Sequence, residues 1–210
     1  MSKTRKAREK HQPAAISNID TLKKLLEYLN IRDWDLLIIG DGSGCGWNMG
    51  AGWAWSLLDR QSKARAAACG ALDKGTVTIG ELFPCWMALN WYVSEDGPGR
   101  DRQKEMIKTG KRIQTIICSD STGVVNAGNY PPARKSYPDI WSAIEYYQQH
   151  GFNLLFKHIP RDMVNMHILL DQYARRARIN LKTSYQQTIA DLQTAHPSLQ
   201  EDLTIYDLNP

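Results

Sequence analysis

The stretch Leu36-Leu37-Ile38-Ile39-Gly40-Asp41-Gly42-Ser43-Gly44-Cys45-Gly46-Trp47-Asn48-Met49-Gly50-Ala51-Gly52-Trp53-Ala54-Trp55 decides the fold. Trp34 to Ile39 is short and almost wholly apolar, the pattern of a buried strand. An acid, Asp41, then opens a turn. After a glycine-rich connection, Gly52 to Leu58 reads as a second strand, and Ala66 to Ala71 as a third before the turn signal Asp73-Lys74-Gly75. Connections this short predict an antiparallel meander.

Three more acids stand in contexts of the same kind. Glu81 starts a helical stretch, Asp120 ends the apolar run Ile116-Ile117-Cys118-Ser119, and Asp171 lies inside a long basic helix that follows Lys157-His158. Carboxylates at strand ends and helix starts can converge on one point, and hard divalent cations take oxygen ligands. The pattern points to metal-assisted phosphodiester chemistry rather than to acid/base work by one pair of acids.

The chain has 210 residues, 42% hydrophobic and 23% charged, with a formal net charge of +4. That is ordinary for a globular protein, with room for a sizeable core. The mild positive excess suits an anionic partner without establishing one. Cations crowd residues 3–10 and 100–112; the first group reads as a solvated tail or a nucleic-acid arm, the second as a backbone clamp or a solvated loop. The four cysteines include no C-x-x-C pair and read as reduced thiols of a cytoplasmic protein. No signal-peptide core and no membrane-spanning apolar run is seen.

Along the chain, residues 1–16 form a basic tail expected to be disordered. Residues 17–33 form an N-terminal helical extension, with a helix over 18–30 capped by Ser17 or Asn18. The main domain covers 34–179. Its helix over 78–93 carries Pro84, tolerated because it is expected to fall within the first turns. Residues 94–112 are a charged insertion, followed by a strand over 112–119 and a short helix over 121–128. A proline-rich loop, a helix over 140–150, a strand over 152–156 and a helix over 161–179 complete it. The tail, 180–210, holds one helical stretch broken by Pro197. The order βββαβααβα predicts a mixed α/β sheet covered by helices.

The order and the acids together resemble ribonuclease H of type 1. The matching motifs are Asp41-Gly42-Ser43 with its glycine- and asparagine-containing turn; Thr76 through Glu81; Asp120-Ser121; and His158, Asn165 and Asp171, with Trp141 on a helix between the last two. The likeness spans roughly 35–178. It departs at Val77 and Thr78, where the family often carries asparagines, and in the long interval from His158 to Asp171, which makes Asp162 a rival fourth acid.

The resemblance implies a ribonuclease H-like five-stranded mixed sheet flanked by helices, and a metal-dependent endonuclease that hydrolyses the RNA strand of RNA–DNA hybrids. It implies catalytic Asp41, Glu81, Asp120, His158 and Asp171, of which the four acids hold two Mg²⁺ ions (Mn²⁺ as a substitute). Asn48, Trp47, Thr78, Ser43 and Asn165 are the expected substrate contacts, and the chain is expected to be monomeric with no membrane partner. The alternatives are a DNA nuclease, junction resolvase or integrase-like enzyme on the same fold, or a non-catalytic nucleic-acid-binding protein.

Each residue also has a plainer reading. Asp41 fits a turn, Glu81 a capping box with Thr78, Asp120 an N-cap, and Asp171 an i,i+4 pair with Arg175. Asn48 fits a turn asparagine, and His158 a loop histidine bonded to backbone. His167 is expected to face solvent or its neighbour.

Overall fold

The structure, a computed structural model, describes residues 19–44 and 50–179 and the backbone of 187–188. Trp47 and Asn48, the whole basic tail and most of the C-terminal tail, with its expected helical stretch, lie outside the described residues. Strands β1 (Leu36–Gly44), β2 (Ala51–Asp59) and β3 (Arg65–Leu72) form the expected antiparallel meander. Strands β4 (Ile113–Ser119) and β5 (Phe152–His158) add in parallel on the other side of β1. The order is β5-β4-β1-β2-β3, with the two-residue β6 (Gln187–Thr188) at the edge of β3. β1 is central because both its faces are covered: Leu36 and Ile38 join one buried cluster, Leu37 and Ile39 the other.

On the Leu36 face lies helix α2 (Val77–Tyr92), burying Leu82, Cys85 and Leu89 against Trp53 and Trp55. The two tryptophans share this face as their period-two spacing predicts. Helices α4 (Thr122–Asn129) and α5 (Pro138–Gln149) extend the layer, with Trp141 against Phe156. On the Leu37 face lie α1 (Leu22–Tyr28) and α6 (Asn165–Ile179). Leu25 of α1 is fully buried there, and its truncation to Ala would cost about 2–5 kcal/mol. Cys69, Cys85 and Cys118 are buried free thiols.

Four details differ from the sequence expectation. The insertion contains helix α3 (Arg100–Thr109), whose polar sequence shows no apolar face. Arg102 anchors it, pairing with Asp35 and Asp59. Thr21, not Ser17 or Asn18, caps α1. Pro84 is the eighth residue of α2, well past its first turn. Finally, α6 begins at Asn165 rather than near Arg161, because residues 160–164 turn under a parallel bridge between Ile19 and Val164.

Candidate metal centre

β1 and β4 run parallel and their pairing stops at Ile39 and Cys118, so the residue just past each apolar run emerges where the two strands part; β1 itself runs on to Gly44, so Asp41 lies within the strand and not in a turn. Asp41 and Asp120 are those residues. Asp41 follows Leu37 and Ile39 by period two and faces α6; its side chain is 0% exposed. Asp120 leaves β4 on the same face, with its side chain 8% exposed.

Two glycines let the flanking helices close on this point. A Cβ on Gly42 would lie 2.2 Å from the Gly80 carbonyl carbon, so α2 approaches β1 backbone to backbone and carries in Glu81. A Cβ on Gly52 would lie 1.8 Å from the Ala174 carbonyl oxygen, so α6 seats equally close on β2. Glu81 is buried, 2% exposed, and accepts a 3.5 Å hydrogen bond from the Ser119 hydroxyl. It does not close a capping box with Thr78: the Thr76 hydroxyl caps α2 and also bonds Tyr137 Oη at 2.5 Å. Nor does Asp120 cap the following helix, since Ser121 does so through the Val124 N–H.

His167 is the principal correction. It does not face solvent: it is 0% exposed, and its Nε2 lies 3.3 Å from Asp41 Oδ1 and 3.7 Å from Asp120 Oδ1. Its Nδ1 sits 3.2 Å from the Arg161 carbonyl oxygen, which fixes the proton there and turns Nε2 toward the acids. One donor atom from each of Asp41, Asp120 and His167 lies within 4.8 Å of the others. The sequence carried a signal for this. His167, Leu170, Ala174 and Ala177 recur at helical spacing on the buried face of α6.

Asp171 sits one turn further on. Its side chain is 18% exposed and accepts from Arg175 Nε at 3.0 Å. Its charge still raises the pKa of Asp41. Asp162 is exposed in the turn before α6. His158 ends β5 opposite Ser119, exposed, with Nε2 3.1 Å from the Asp120 backbone carbonyl. Among the expected substrate contacts, Ser43 is half-buried at the end of β1 and Asn165 is the first residue of α6. Thr78 is exposed and lines a pocket of about 180 Å³ with Lys135, Ser136 and Trp141. The sequence reading also passed over Arg161, whose Nε donates to Asp120 Oδ2 at 2.8 Å.

The electrostatics are those of too much negative charge in too little water. Burial, then Asp41 and Asp120, push the Glu81 pKa up to about 9. Burial also raises Asp41. Burial tends to raise Asp120 as well, but His167 and Arg161 bring it below the usual carboxylate value. Burial by itself lowers His167, yet Asp120 and Asp41 outweigh it and push its pKa up to about 10. His167 Nε2 is nonetheless not aligned to donate to Asp41. Both Asp41 oxygens and that nitrogen are buried without a hydrogen-bond partner. Orphaned buried carboxylate oxygens facing an imidazole nitrogen are what a divalent cation would satisfy, so these residues fit a metal.

A five-stranded sheet of order β3-β2-β1-β4-β5 flanked by helices matches known structures. LC11-RNase H1, isolated from compost by a metagenomic approach, superposes with a TM-score of 0.52 at 17% identity, covering 71% of this chain and 99% of that one. The fold is that of ribonuclease H. LC9-RNase H1, described as a type 1 RNase H with the type 2 active-site motif, also superposes with a TM-score of 0.52, at 11% identity, covering 74% of this chain and 76% of its own. No family model and no curated protein sequence matches this chain. The ribonuclease H likeness is therefore carried by architecture. Among the described residues, no helix is long and apolar enough to cross a membrane.

Proposed function

We propose that this chain is a divalent-metal-dependent endonuclease that hydrolyses the RNA strand of an RNA–DNA hybrid. The observation that carries the reading is Asp41: a fully buried carboxylate with neither oxygen hydrogen-bonded, within reach of Asp120 and His167. A structural aspartate so placed would be satisfied by protein donors.

Asp41, Glu81, Asp120 and His167 would hold the metal, with Asp171 as an outer acid. Asp41, with both oxygens free of hydrogen bonds, would offer both to the metal. Mg²⁺, with Mn²⁺ as a substitute, supplies Lewis acidity and a water of lowered pKa when bound. The protein's part is positioning. Ser119 orients Glu81, the Arg161 carbonyl orients His167, and the close helix contacts at Gly42 and Gly52 keep the four groups together. His167 must give up its proton to ligate, so loading releases a proton. His158, exposed and bonded to the Asp120 backbone carbonyl, would carry a proton to and from solvent. Ser43, Thr78 and Asn165 lie on the elements that carry the acids, where a nucleic-acid backbone would pass. Trp47 and Asn48 belong to the connection leaving Asp41, from which a 2′-hydroxyl would be read.

The test is cleavage of an end-labelled hybrid in Mg²⁺, with duplex RNA, duplex DNA and a four-way junction in parallel, comparing wild type with Asp120→Asn. Hybrid cleavage by the wild type and its loss in the variant are expected. Cleavage of DNA or junction with the hybrid untouched would select a different nuclease on the same fold. Equal activity in both proteins would remove the site from the chemistry.

A further inference from the structure

We propose that Arg161 exchanges partners: it neutralises Asp120 while no metal is bound, and engages a phosphate of the nucleic-acid strand once a divalent cation takes Asp120. This rests on the metal-dependent nuclease reading above and adds a residue to it.

The backbone of Arg161 is held and its head is not. Its carbonyl accepts from His167 Nδ1, and the turn it occupies is pinned by the bridge between Ile19 and Val164. Ile19 N–H donates to the Met163 carbonyl at 2.6 Å, and Asn165 N–H donates to the Ile19 carbonyl at 3.3 Å. The side chain, by contrast, is 54% exposed and touches the cluster only through Nε. Among the described residues, its Nη groups make no hydrogen bond. A guanidinium carries five donors in a planar fork suited to phosphate. Arg161 thus spends one donor on Asp120 and keeps the rest in a half-exposed head beside it.

The two states follow from charge. Without metal, Asp120 is paired with Arg161 on one oxygen and faces His167 with the other. A divalent cation on Asp120 competes with that ion pair and repels the guanidinium. The freed head, on a fixed pivot, stands beside the acids where a strand phosphate must sit if it is to be cut. The phosphate then replaces Asp120 as the anion. Arg161 would therefore oppose metal binding in the free protein and favour substrate binding in the loaded one.

The experiment uses the full chain. Mn²⁺ binding is measured by titration calorimetry for wild type, Arg161→Gln, Arg161→Lys and Asp41→Asn, without nucleic acid. Hybrid affinity is measured across salt concentrations in Ca²⁺, which suppresses cleavage, and again in EDTA. Arg161→Gln is expected to bind Mn²⁺ up to about tenfold tighter, since it loses a competing cation of partly exposed ion-pair strength. In Ca²⁺ the slope of log affinity against log salt should fall by about 1, the signature of one lost phosphate contact, with no change in EDTA. Arg161→Lys should keep most of the slope. Unchanged or weaker Mn²⁺ binding in Arg161→Gln, or an unchanged slope in Ca²⁺, would overturn the exchange even if Asp41→Asn abolishes Mn²⁺ binding and the nuclease reading stands. If wild type and Asp41→Asn alike bind no Mn²⁺, the nuclease reading fails and the exchange with it.

Discussion

Two buried aspartates on neighbouring strands, Asp41 on β1 and Asp59 on β2, meet burial in opposite ways. Asp59 is 1% exposed and saturated. Its Oδ1 accepts from the Gln61 and Ser62 backbone N–H groups and from Arg102, and its Oδ2 accepts from Tyr92 Oη at 2.7 Å. Asp41 is as deeply buried and has no hydrogen bond on either oxygen. Burial alone therefore does not mark a functional acid in this protein. Asp59 ties the turn after β2 and helix α3 to the sheet; Asp41 is faced by His167, a cation that can give up its charge, and keeps both oxygens without a hydrogen bond.

The widest separation between the two comes from removing each charge. Asp41→Asn should abolish Mn²⁺ binding and lower hybrid cleavage by about 10³-fold or more, the upper range for losing one preorganised electrostatic group. It should leave the melting temperature in EDTA unchanged or raised, because relief from burying the charge offsets the loss of its pairing with His167. Asp59→Asn should do the reverse. Breaking a buried ion pair from one side costs about 3–5 kcal/mol, and each kcal/mol lowers Tm by about 2–4 °C at this chain length. Its Mn²⁺ affinity should hold. A destabilised Asp41→Asn, or an Asp59→Asn that no longer binds Mn²⁺, would dissolve the contrast.

His167 sharpens the comparison next, because it stands to Asp41 as Arg102 stands to Asp59. Arg102 pairs with both Asp35 and Asp59 and is a permanent cation. His167 can lose its charge and become a ligand. His167→Ala should weaken Mn²⁺ binding by about 10–100-fold, the scale on which groups supporting a metal site act. The proton released on loading the wild type, read by calorimetry in buffers of different ionisation enthalpy, should fall in the variant. Equal proton release would remove His167 from the ligand set.

Glu81 gives a smaller and pH-dependent effect. Its pKa in the folded chain is pushed up to about 9, above the ordinary value of 4.5. Between those values the folded state holds a proton that the unfolded state has lost. Its contribution to stability is therefore full below pH 4.5 and disappears as pH rises through 9. Glu81→Gln should keep the hydrogen-bonding shape without the charge. In EDTA its Tm should exceed that of wild type by several degrees at pH 9 and converge with it toward pH 5. A constant offset across that range would mean that the charge on Glu81 does not limit stability.

What the sequence made legible is the part governed by local pattern. The alternation that buries Leu37 and Ile39 on one face also dictates that Asp41 faces the same way, and the parallel run ending at Ser119 brings Asp120 beside it. The succession of strands and helices was readable for the same reason, and the resemblance implied the five-stranded mixed sheet. Helix α3 was not readable: with no apolar stripe it is held by Arg102 reaching Asp35 and Asp59, 67 and 43 residues away in sequence, by Gln103 on the His150 carbonyl and by Met106 against the core. Arg161 was equally hidden, since its turn is shaped by Ile19 from the other end of the chain. His167 was within reach of helical periodicity. Reading α6 for its acid, Asp171, drew attention from the histidine on the buried face.

That rivalry on α6 leaves the mildest expected change. Asp171 lies one turn beyond His167, and its carboxylate is engaged by Arg175, an i,i+4 pair whose arginine is 56% exposed. Such pairs contribute about 0.3–0.5 kcal/mol, so Asp171→Asn should shift Tm by about 2 °C at most. If Asp171 stays with Arg175, Mn²⁺ affinity should fall less than about tenfold, since only a distant charge that raises the Asp41 pKa is lost. If metal draws Asp171 away from Arg175, the loss should match that of His167→Ala, and Arg175→Met should then tighten Mn²⁺ binding by freeing the carboxylate. Measured together, the three variants decide whether the fourth donor is the buried imidazole or the half-buried acid. A full-strength loss in Asp171→Asn with none in His167→Ala would hand the position to the acid and leave His167 as a cation that holds the empty site together.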